Sequence, residues 1–366
     1  MKKILFFAAA LLCVTAANAK VWRINYDDNA QADFKTIKLC LAWNGFTEGD
    51  TLYMEPGVHG GEMGDNKITK SCTILGPGWG FQTSTNNISE LESAIFTNTV
   101  CASGSTISVK ISGICCNSAI GSVSGNKISS LIIEKCYYKG GGTYYPAADN
   151  LVIKNCLIDA VCFLGNKTTA TVVGNVIRGY LDINGTSGIS LLVDHNTIVH
   201  NSSSTALSCT IDSKTTISNN IIINTSSKPD NVKIDAFMDP SLSVYNNVIS
   251  FTTATIEAAE YTGDHTYDAL KDPACTNKID ATVANTFKCH IDNGIVDNAM
   301  YYYVKDDAVA KTADSKGGEC GAFGGDFPYQ LNGRPNGVPY LYDINVPTHT
   351  DNNQLKISFK VAGNNE

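Results

Sequence analysis

Apolar positions along the chain recur in a six-residue motif: an apolar residue, two variable residues, Asn or Cys, one variable residue and a second apolar residue. Copies of this repeat motif begin at Ile111, Ile133, Ile153, Val172, Val193, Ile217 and Val244. Successive copies start 22, 20, 19, 21, 24 and 27 residues apart. A period of about 20 residues indicates a stacked repeat architecture. The stretches between the copies are rich in β-branched residues, Gly, Asn and Ser and have almost no helical periodicity, which favours short strands and turns.

We therefore predict an all-β fold, a single-stranded right-handed parallel β-helix with an N-terminal capping helix and a C-terminal strand or loop cap. Caps are expected because each coil buries its apolar face only against its neighbours. The predicted organisation is a signal peptide over 1–19, an N-terminal cap and the first coils over 20–106, regular coils over 107–250, and degenerate coils with the C-terminal cap over 251–366.

The fourth position of the repeat motif changes along the chain, from Ile114 through Cys136 and Cys156 to asparagine. The asparagines are Asn175, Asn196, Asn220 and Asn247. Stacked side-chain amides at a turn can bond to one another and to the backbone, which satisfies polar atoms that are otherwise buried without a partner. Cysteine and isoleucine fill the same interior space without that demand. The column predicts a structural asparagine ladder.

The two ends carry different patterns. Apolar residues at helical spacing run from Ala32 to Trp43, with Asp33 as the expected N-cap and Gly45 as the stop. Near the C-terminus, apolar and polar residues alternate over 355–361, which predicts one half-buried strand. We expect this strand to cover the exposed edge of the last coil.

The segment after the predicted helix carries a second recognisable order. It reads Gly49-Asp50-Thr51-Leu52-Tyr53-Met54-Glu55-Pro56-Gly57, followed by Thr73-Ile74-Leu75-Gly76-Pro77-Gly78. This order resembles the start of the pectate lyase superfamily of right-handed β-helices, in which a capping helix leads into GDT-x-Y-x-x-PG and then T-I-x-G-x-G. The match covers 32–78, and the asparagine-bearing coils extend it to about residue 250. Residues 317–325 and Pro328-Tyr329 look like the closing turn of exported bacterial members. The resemblance implies the fold, but one fold hosts many chemistries.

The N-terminus has the pattern of a secretory signal. Lys2 and Lys3 precede an apolar run over 4–12, and Ala17-Asn18-Ala19 predicts cleavage before Lys20. A lipoprotein anchor at Cys13 is the alternative. The signal pattern predicts an exported protein, which is periplasmic, cell-surface or extracellular. The apolar run is too short to span a bilayer, so we expect no transmembrane segment.

The cysteine content and the net charge limit which disulfides and which partners we expect. The chain has 13 cysteines, and an even number remains after the predicted signal, which in an exported chain favours disulfides. Several of them occupy the repeat motif, where a free thiol acts as a small buried apolar residue. We expect mostly free core cysteines, with Cys275–Cys289 as the favoured bridge. The net charge is −8 and only three arginines occur, so nucleic acid is not an expected partner. We expect a monomer.

Resemblance to the lyases implies calcium held by carboxylates, with an Arg or Lys that removes the proton α to a uronate carboxylate. The candidates are Arg178, with Asp182 four residues on, and Lys154. The simpler interpretation of Arg178 is a surface cation beside an acid. The outward positions of the motif form no acidic column, so we expect no metal or other cofactor, and calcium only if the protein is a lyase. Asp194 and His195 form a dense polar cluster that we expect to decorate the surface.

A glycine-rich stretch over 137–146 contains the best binding candidates. Tyr137, Tyr144 and Tyr145 have flat faces and polar tips suited to stacking on sugar rings. The alternative is that Tyr138 packs inward while the other rings cover the loop. Two functions therefore remain open. The first is an exported β-helix that binds polysaccharide, another glycan or a surface partner along its side. The second is a polysaccharide lyase-like enzyme that acts on acidic polysaccharide.

Overall fold

A computed structural model of the chain describes most of the coils and their flanks. The described residues are 19–59, 68–79, 94–96, 100–117, 120–122, 128–139, 143–144, 148–159, 161–163, 169–179, 181–183, 190–200, 207–209, 215–225, 243–250, 272–289, 298–333, 339–345 and 358–363. The predicted signal lies outside them except for Ala19, as do all of residues 251–271. No helix among the described residues has the length and apolar character needed to cross a membrane.

The protein is a single-stranded parallel β-helix, and its first sheet has ten parallel strands stacked in chain order. They are β1 (Val21–Ile24), β2 (Thr51–Met54), β4 (Cys72–Leu75), β7 (Gly104–Ser112), β10 (Ile128–Glu134), β13 (Ala148–Lys154), β16 (Thr169–Val173), β19 (Ser190–Asp194), β22 (Thr215–Ser218) and β24 (Ser243–Tyr245). The first residues of all seven repeat motifs pair with one another in register from β7 to β24. This register confirms that one motif corresponds to one coil.

The second sheet has nine parallel strands, which follow the first sheet after one turn in each coil. They are β3 (Gly57–His59), β5 (Ala94–Phe96), β8 (Cys115–Cys116), β11 (Tyr137–Tyr138), β14 (Leu157–Ile158), β17 (Val176–Ile177), β20 (Thr197–His200), β23 (Ile221–Asn224) and β25 (Val248–Ile249). A third sheet has four strands, β12 (Thr143–Tyr144), β15 (Val161–Phe163), β18 (Leu181–Ile183) and β21 (Leu207–Cys209), and β6 (Val100–Ala102) pairs with β9 (Ile120–Ser122).

The corner between the first and second sheets has a fixed backbone conformation. The third motif position has a positive φ in every coil: Gly113, Lys135, Asn155, Gly174, His195, Asn219 and Asn246. Glycine adopts this left-handed conformation without a Cβ penalty, and asparagine and histidine tolerate it better than most residues. The corner explains why Gly and Asn recur at the third position, and it turns the next residue into the core.

That next residue builds the asparagine ladder. Asn175 donates from Nδ2 to Asn196 Oδ1 at 2.9 Å, and Asn196 donates in the same way to Asn220 at 3.0 Å. Asn220 donates to Asn247 at 3.0 Å, and Asn247 donates to Asn277 at 3.1 Å. The first four of these side chains are fully buried. Cys136 and Cys156 occupy the equivalent place in earlier coils and lie in the same apolar core.

The N-terminal cap is a short helix, α1 (Ile37–Ala42), which buries Ile37 and Cys40 against the apolar core. The prediction of Asp33 as its N-cap is wrong, because the Thr36 hydroxyl accepts the backbone N–H of Leu39 at 3.1 Å. The Asp33 carboxylate instead accepts the backbone N–H of Arg23 at 2.8 Å, which ties the approach to the helix onto β1.

After the coils the chain turns back along the second sheet. Short 3-10 turns form at Pro273–Cys275, Asn298–Tyr302, Val309–Lys311 and Leu331–Gly333, and a second helix, α2, spans Val283–Thr286. We call residues 310–333 the strap. Its Gly321 N–H donates to Asn219 O at 2.8 Å, and its Phe327 O accepts from Asn155 Nδ2 at 2.9 Å. The strap therefore crosses several coils in the direction opposite to their stacking.

The strap explains a second row of buried apolar side chains. At the fifth motif position Tyr137, Leu157 and Val176 are buried outside the main core, in a cluster with Ala322 and Tyr329 of the strap. The sixth-position residues belong instead to the main core. The second sheet is thus covered on both faces, which is why its strands carry consecutive apolar residues rather than an alternation.

Two predictions about the C-terminal part are wrong. The last strand, β27 (Ser358–Gly363), pairs antiparallel with β26 (Pro339–Asn345) and not with the edge of the last coil. A partner close in sequence costs less loop-closure entropy than a distant edge. Cys275 and Cys289 do not form a disulfide, and each is a free thiol. Cys275 lies in a 3-10 turn, whereas the Cys289 thiol faces Val283 O at 3.8 Å.

Candidate functional site

A groove lies between the outer face of the first sheet and the strap, and we call it the strap groove. Its volume is about 450 Å³, within the usual range of ligand sites. Outward-facing side chains of β2, β4, β7, β10 and β13 form its floor, and strap residues form one wall. The lining residues are Thr51, Thr73, Leu75, Lys110, Ser112, Glu134, Lys135, Lys154, Asn155, Asp326, Phe327, Pro328 and Gln330.

Three charged side chains dominate the floor. Glu134 lies between Lys110, whose Nζ is 2.8 Å from Oε1, and Lys154, whose Nζ is 3.7 Å from Oε2. The Ser112 hydroxyl also donates to Glu134 Oε1 at 3.2 Å. Burial opposes the charge of Glu134, but its contacts with Lys110 and Lys154 hold the pKa of the carboxyl below its usual value.

The charge balance of the groove is positive. Three lysines line it, and the carboxylates that line it are Glu134 and Asp326. Asp326 pairs with Lys316 of the strap at 2.8 Å, so its charge is offset from outside the groove. Lys110 and Lys154 are two coils apart, which places their strands about 10 Å from each other along the stack. The arrangement offers cations at two points to an elongated anionic ligand.

An exposed aromatic ring completes the wall. Phe327 is 54% exposed, although its backbone is held by Asn155. The Lys154 ammonium lies 5.1 Å from the centre of the Phe327 ring, within the range of a cation–π contact. Gly174 permits this placement, since a Cβ there would lie 2.4 Å from Phe327 O. An aromatic face on a rigid backbone beside cations suits the apolar face of a charged sugar.

Lys154 is thus part of the strap groove, but Arg178 is not. Arg178 makes a two-pronged ion pair with Asp159, which also accepts a hydrogen bond from Tyr137 Oη at 2.8 Å. Burial disfavours the guanidinium charge, yet the bonds to Asp159 raise the pKa of Arg178 above its usual value. A cation held this way is a poor proton acceptor. The side chain of Asp182, the predicted neighbour, lies outside the described residues.

The tyrosine predictions have separate outcomes. Tyr137 is 1% exposed and packs with its ring centre 5.1 Å from that of Trp79, which corrects the prediction that it stacks on a ligand. Its motif position faces the strap, and the strap covers it. Tyr138 is also buried, in the main core. Tyr144 ends β12, but its side chain and the whole of Tyr145 lie outside the described residues, so their glycan-binding role stays a prediction.

The Asp194–His195 pair is not the surface decoration that we expected. His195 is 7% exposed, and its Nδ1 lies 2.7 Å from Asp194 Oδ2. The strap covers the pair and brings Asp314, whose Oδ2 lies 3.6 Å from His195 Nε2. No short sequence pattern links residues 195 and 314, so only the path of the strap joins them.

The strap groove does not fit a calcium site. Calcium requires six to eight oxygen ligands, whereas the floor offers the single carboxylate of Glu134, already engaged by two lysines. Within the described ranges, no group of three or more His, Cys, Asp or Glu side chains has the arrangement of a metal site.

Comparisons of the chain with protein-family models, curated proteins and solved structures find no match. The likeness to the pectate lyase superfamily therefore stays a prediction from the N-terminal motifs. The structure itself defines the class of the protein, a parallel β-helix with a C-terminal strap.

Proposed function

We propose that this β-helix is an exported, non-catalytic protein that binds an acidic glycan in the strap groove. The observation that carries the proposal is the combination of Lys110, Lys154 and the exposed Phe327 ring on one rigid flank. Each lysine side chain keeps access to solvent, 42% for Lys110 and 28% for Lys154. A carboxylate or sulfate on a ligand would compete with Glu134 for the same ammonium groups.

The length of the groove supports an oligosaccharide over a single sugar. Its floor spans five neighbouring strands of the first sheet, or about 20 Å along the stack. The chain as a whole is acidic, with a net charge of −8, and repels polyanions at long range. Binding would therefore depend on the local positive groove rather than on general adsorption.

The binding function is supported better than the lyase-like alternative. A lyase needs a base that reaches the substrate proton, and Arg178 is fixed by its ion pair with Asp159. Lys154 faces a carboxylate on one side and an aromatic ring on the other, which are the surroundings of a binding cation. Among the described residues, no contact favours catalysis over binding.

The first test is calorimetric binding of oligogalacturonate and of a neutral oligosaccharide of the same length. Lys110→Ala and Lys154→Ala should each weaken binding of the acidic ligand about tenfold, which corresponds to one charged contact of about 1.4 kcal/mol. Phe327→Ala should weaken binding by a similar factor because the stacking face is lost. Lys288→Ala is the matched control, since Lys288 is 45% exposed and paired with Asp306 at 3.5 Å, away from the strap groove.

Equal loss in Lys288→Ala, or unchanged binding in all three groove variants, would contradict the proposal. The same purified protein, incubated with calcium and the uronate polymer, serves as the test of the alternative. Formation of the ultraviolet-absorbing unsaturated uronate would show that the protein is a lyase.

A further inference from the structure

His195 lies where the strap meets the coils. On the coil side its Nδ1 is 2.7 Å from Asp194 Oδ2, at the end of β19. On the strap side its Nε2 is 3.6 Å from Asp314 Oδ2, and this buried nitrogen has no hydrogen-bond partner. The strap backbone also packs on the ring, because a Cβ at Gly325 would lie 2.7 Å from the imidazole carbons.

We propose that His195 is a pH-sensitive fastener that holds the strap to the coils when its ring is protonated. In the imidazolium form both nitrogens carry protons, so the ring attracts Asp194 and Asp314 together. In the neutral form Nδ1 keeps its proton for Asp194, and the lone pair of Nε2 faces the Asp314 carboxylate. The contact between coil and strap then changes from attraction to repulsion between two acceptors.

The charged groups around His195 favour the protonated ring. From the coils, Asp194 faces it, while the neutral side chains of Ser218 and Asn219 each donate to Asp194 Oδ1 at 2.7 Å. These donors keep the carboxylate fixed and charged. The ring therefore meets one negative charge from its own coil and no cation from the next coil among the described contacts.

From the strap, Asp314 faces the ring and accepts the backbone N–H groups of Lys316 at 2.7 Å and Gly318 at 2.5 Å. The Lys316 ammonium is bound to Asp326 at 2.8 Å, so its charge is already balanced. The nearby Cys320 thiol is buried, and burial raises its pKa, which keeps it neutral. Two carboxylates thus flank one imidazole.

The titration window follows from these contacts. Burial alone would lower the pKa of His195, but Asp194 and Asp314 raise it above the usual value. A raised folded-state pKa stabilises the protein fully below the unfolded value of about 6.5, and the stabilisation is lost as pH rises through the folded value. Despite burial, hydrogen bonds hold the pKa of Asp194 and of Asp314 below its usual value, so both stay charged across this window.

The loosening is expected to be local. Elsewhere the strap is held by Ala322 N–H on Thr197 Oγ1 at 3.0 Å and by Asn155 on Phe327 O and Pro328 O. Residues 314–320 and 323–325 would open, while the anchors at Gly321, Ala322, Phe327 and Pro328 stay in place. Since Gly325 is two residues from Phe327, the change reaches the wall of the strap groove, and that consequence alone rests on the proposed function.

The test combines two measurements on the full chain between pH 5 and 9 (a range that brackets the value of about 6.5). Nuclear magnetic resonance of the imidazole gives the titration midpoint of His195. Amide hydrogen exchange of 314–320 and 323–325, corrected for the intrinsic pH dependence of exchange, gives the opening of the strap. We expect a titration midpoint above the ordinary histidine value. The equilibrium constant for opening of the strap should rise as pH passes through this midpoint. The total rise should be about tenfold for each unit by which the pKa of His195 in the closed strap exceeds its pKa in the open strap.

Three variants separate the fastener from a simple structural contact. Asp314→Asn should lower the midpoint, and His195→Asn, which suits the left-handed corner, should remove the pH dependence of opening. Glu319→Gln breaks the ion pair with Lys311 on the same strap and should leave the pH dependence unchanged, since neither residue faces His195. Far-ultraviolet circular dichroism checks that each variant is folded, and Asp314→Asn suffices if His195→Asn does not fold.

Wild-type opening that is independent of pH, or a midpoint that Asp314→Asn does not move, would overturn the fastener. Neither measurement uses a glycan. If oligogalacturonate does not bind while the strap opens with pH, the proposed function fails and the fastener stands. If oligogalacturonate binds while opening of the strap is independent of pH, the fastener fails and the proposed function stands.

Discussion

Glu134 and Asp194 occupy the same outward column of the first sheet, at equivalent motif positions three coils apart, yet their surroundings differ. The two carboxylates are similarly shielded, 14% and 22% exposed. Their partners are not. Glu134 is paired with solvent-accessible lysines, whereas the partners of Asp194 include His195, with a side chain 9% exposed. The strap leaves the first site open and covers the second, so its path decides which acid lines the strap groove and which lies beneath the strap.

Neutralising each acid should give the largest contrast. Asp194→Asn replaces an acceptor of three hydrogen bonds beneath the strap and should lower the free energy of unfolding by about 2–3 kcal/mol. Glu134→Gln weakens contacts with partly exposed lysines and should cost less than about 1 kcal/mol. Urea unfolding at neutral pH measures both. Equal losses would mean that the strap does not distinguish the two sites.

A smaller effect is expected from Gly174, which lies between the two sites beneath the strap. Gly174→Ala places a Cβ 2.4 Å from Phe327 O at a φ of +63°, so it should cost about 1–3 kcal/mol and displace the wall of the strap groove. Gly317→Ala is the matched control, with a φ of +79° and no atom within 4 Å of its Cβ. It carries the backbone strain without the collision. An equal loss of stability in the two variants would mean that only backbone strain matters. The close approach of the strap at Gly174 would then have no energetic role.

The smallest expected effect concerns ligand binding in the strap groove. Glu134→Gln removes the internal competitor for Lys110 and Lys154 and should tighten acidic glycan binding about threefold, a gain below 1 kcal/mol. Calorimetry with oligogalacturonate measures the change, and a neutral oligosaccharide should show none. Weaker binding in this variant would indicate that Glu134 positions the lysines rather than competing with the ligand.

Much of the coil architecture was predictable from local patterns. The in-register pairing of Ile133 with Ile111 and Ile153 follows from a repeat of nearly constant length. The buried asparagine column was visible as an abrupt change from Cys156 to Asn175. Its last member, Asn277, was missed because the spacing from Asn247 stretches to 30 residues, although a left-handed Thr276 precedes it as in the other corners.

The partner of Arg178 shows why side-chain contacts were harder to predict. In a β-helix, the nearest neighbours in space are about one coil apart, so Asp159, 19 residues earlier, pairs with Arg178. A helix-like spacing of four residues pointed instead to Asp182. The sequence contains only a weak indication of the strap. Adjacent apolar residues in the motif, such as Tyr137 with Tyr138, are typical of a sheet that is buried on both faces.

The sequence by itself determined the winding, because apolar spacing, left-handed corners and the asparagine column are local properties that repeat with each coil. Only the tertiary structure decided the strap groove and the surroundings of His195, because both require a segment more than one hundred residues away to lie back across the coils. His195 meets Asp314, and Lys154 meets Phe327, through that path alone. A periodic pattern encodes contacts between neighbouring coils, and it contains no information about a non-periodic segment that packs over several of them.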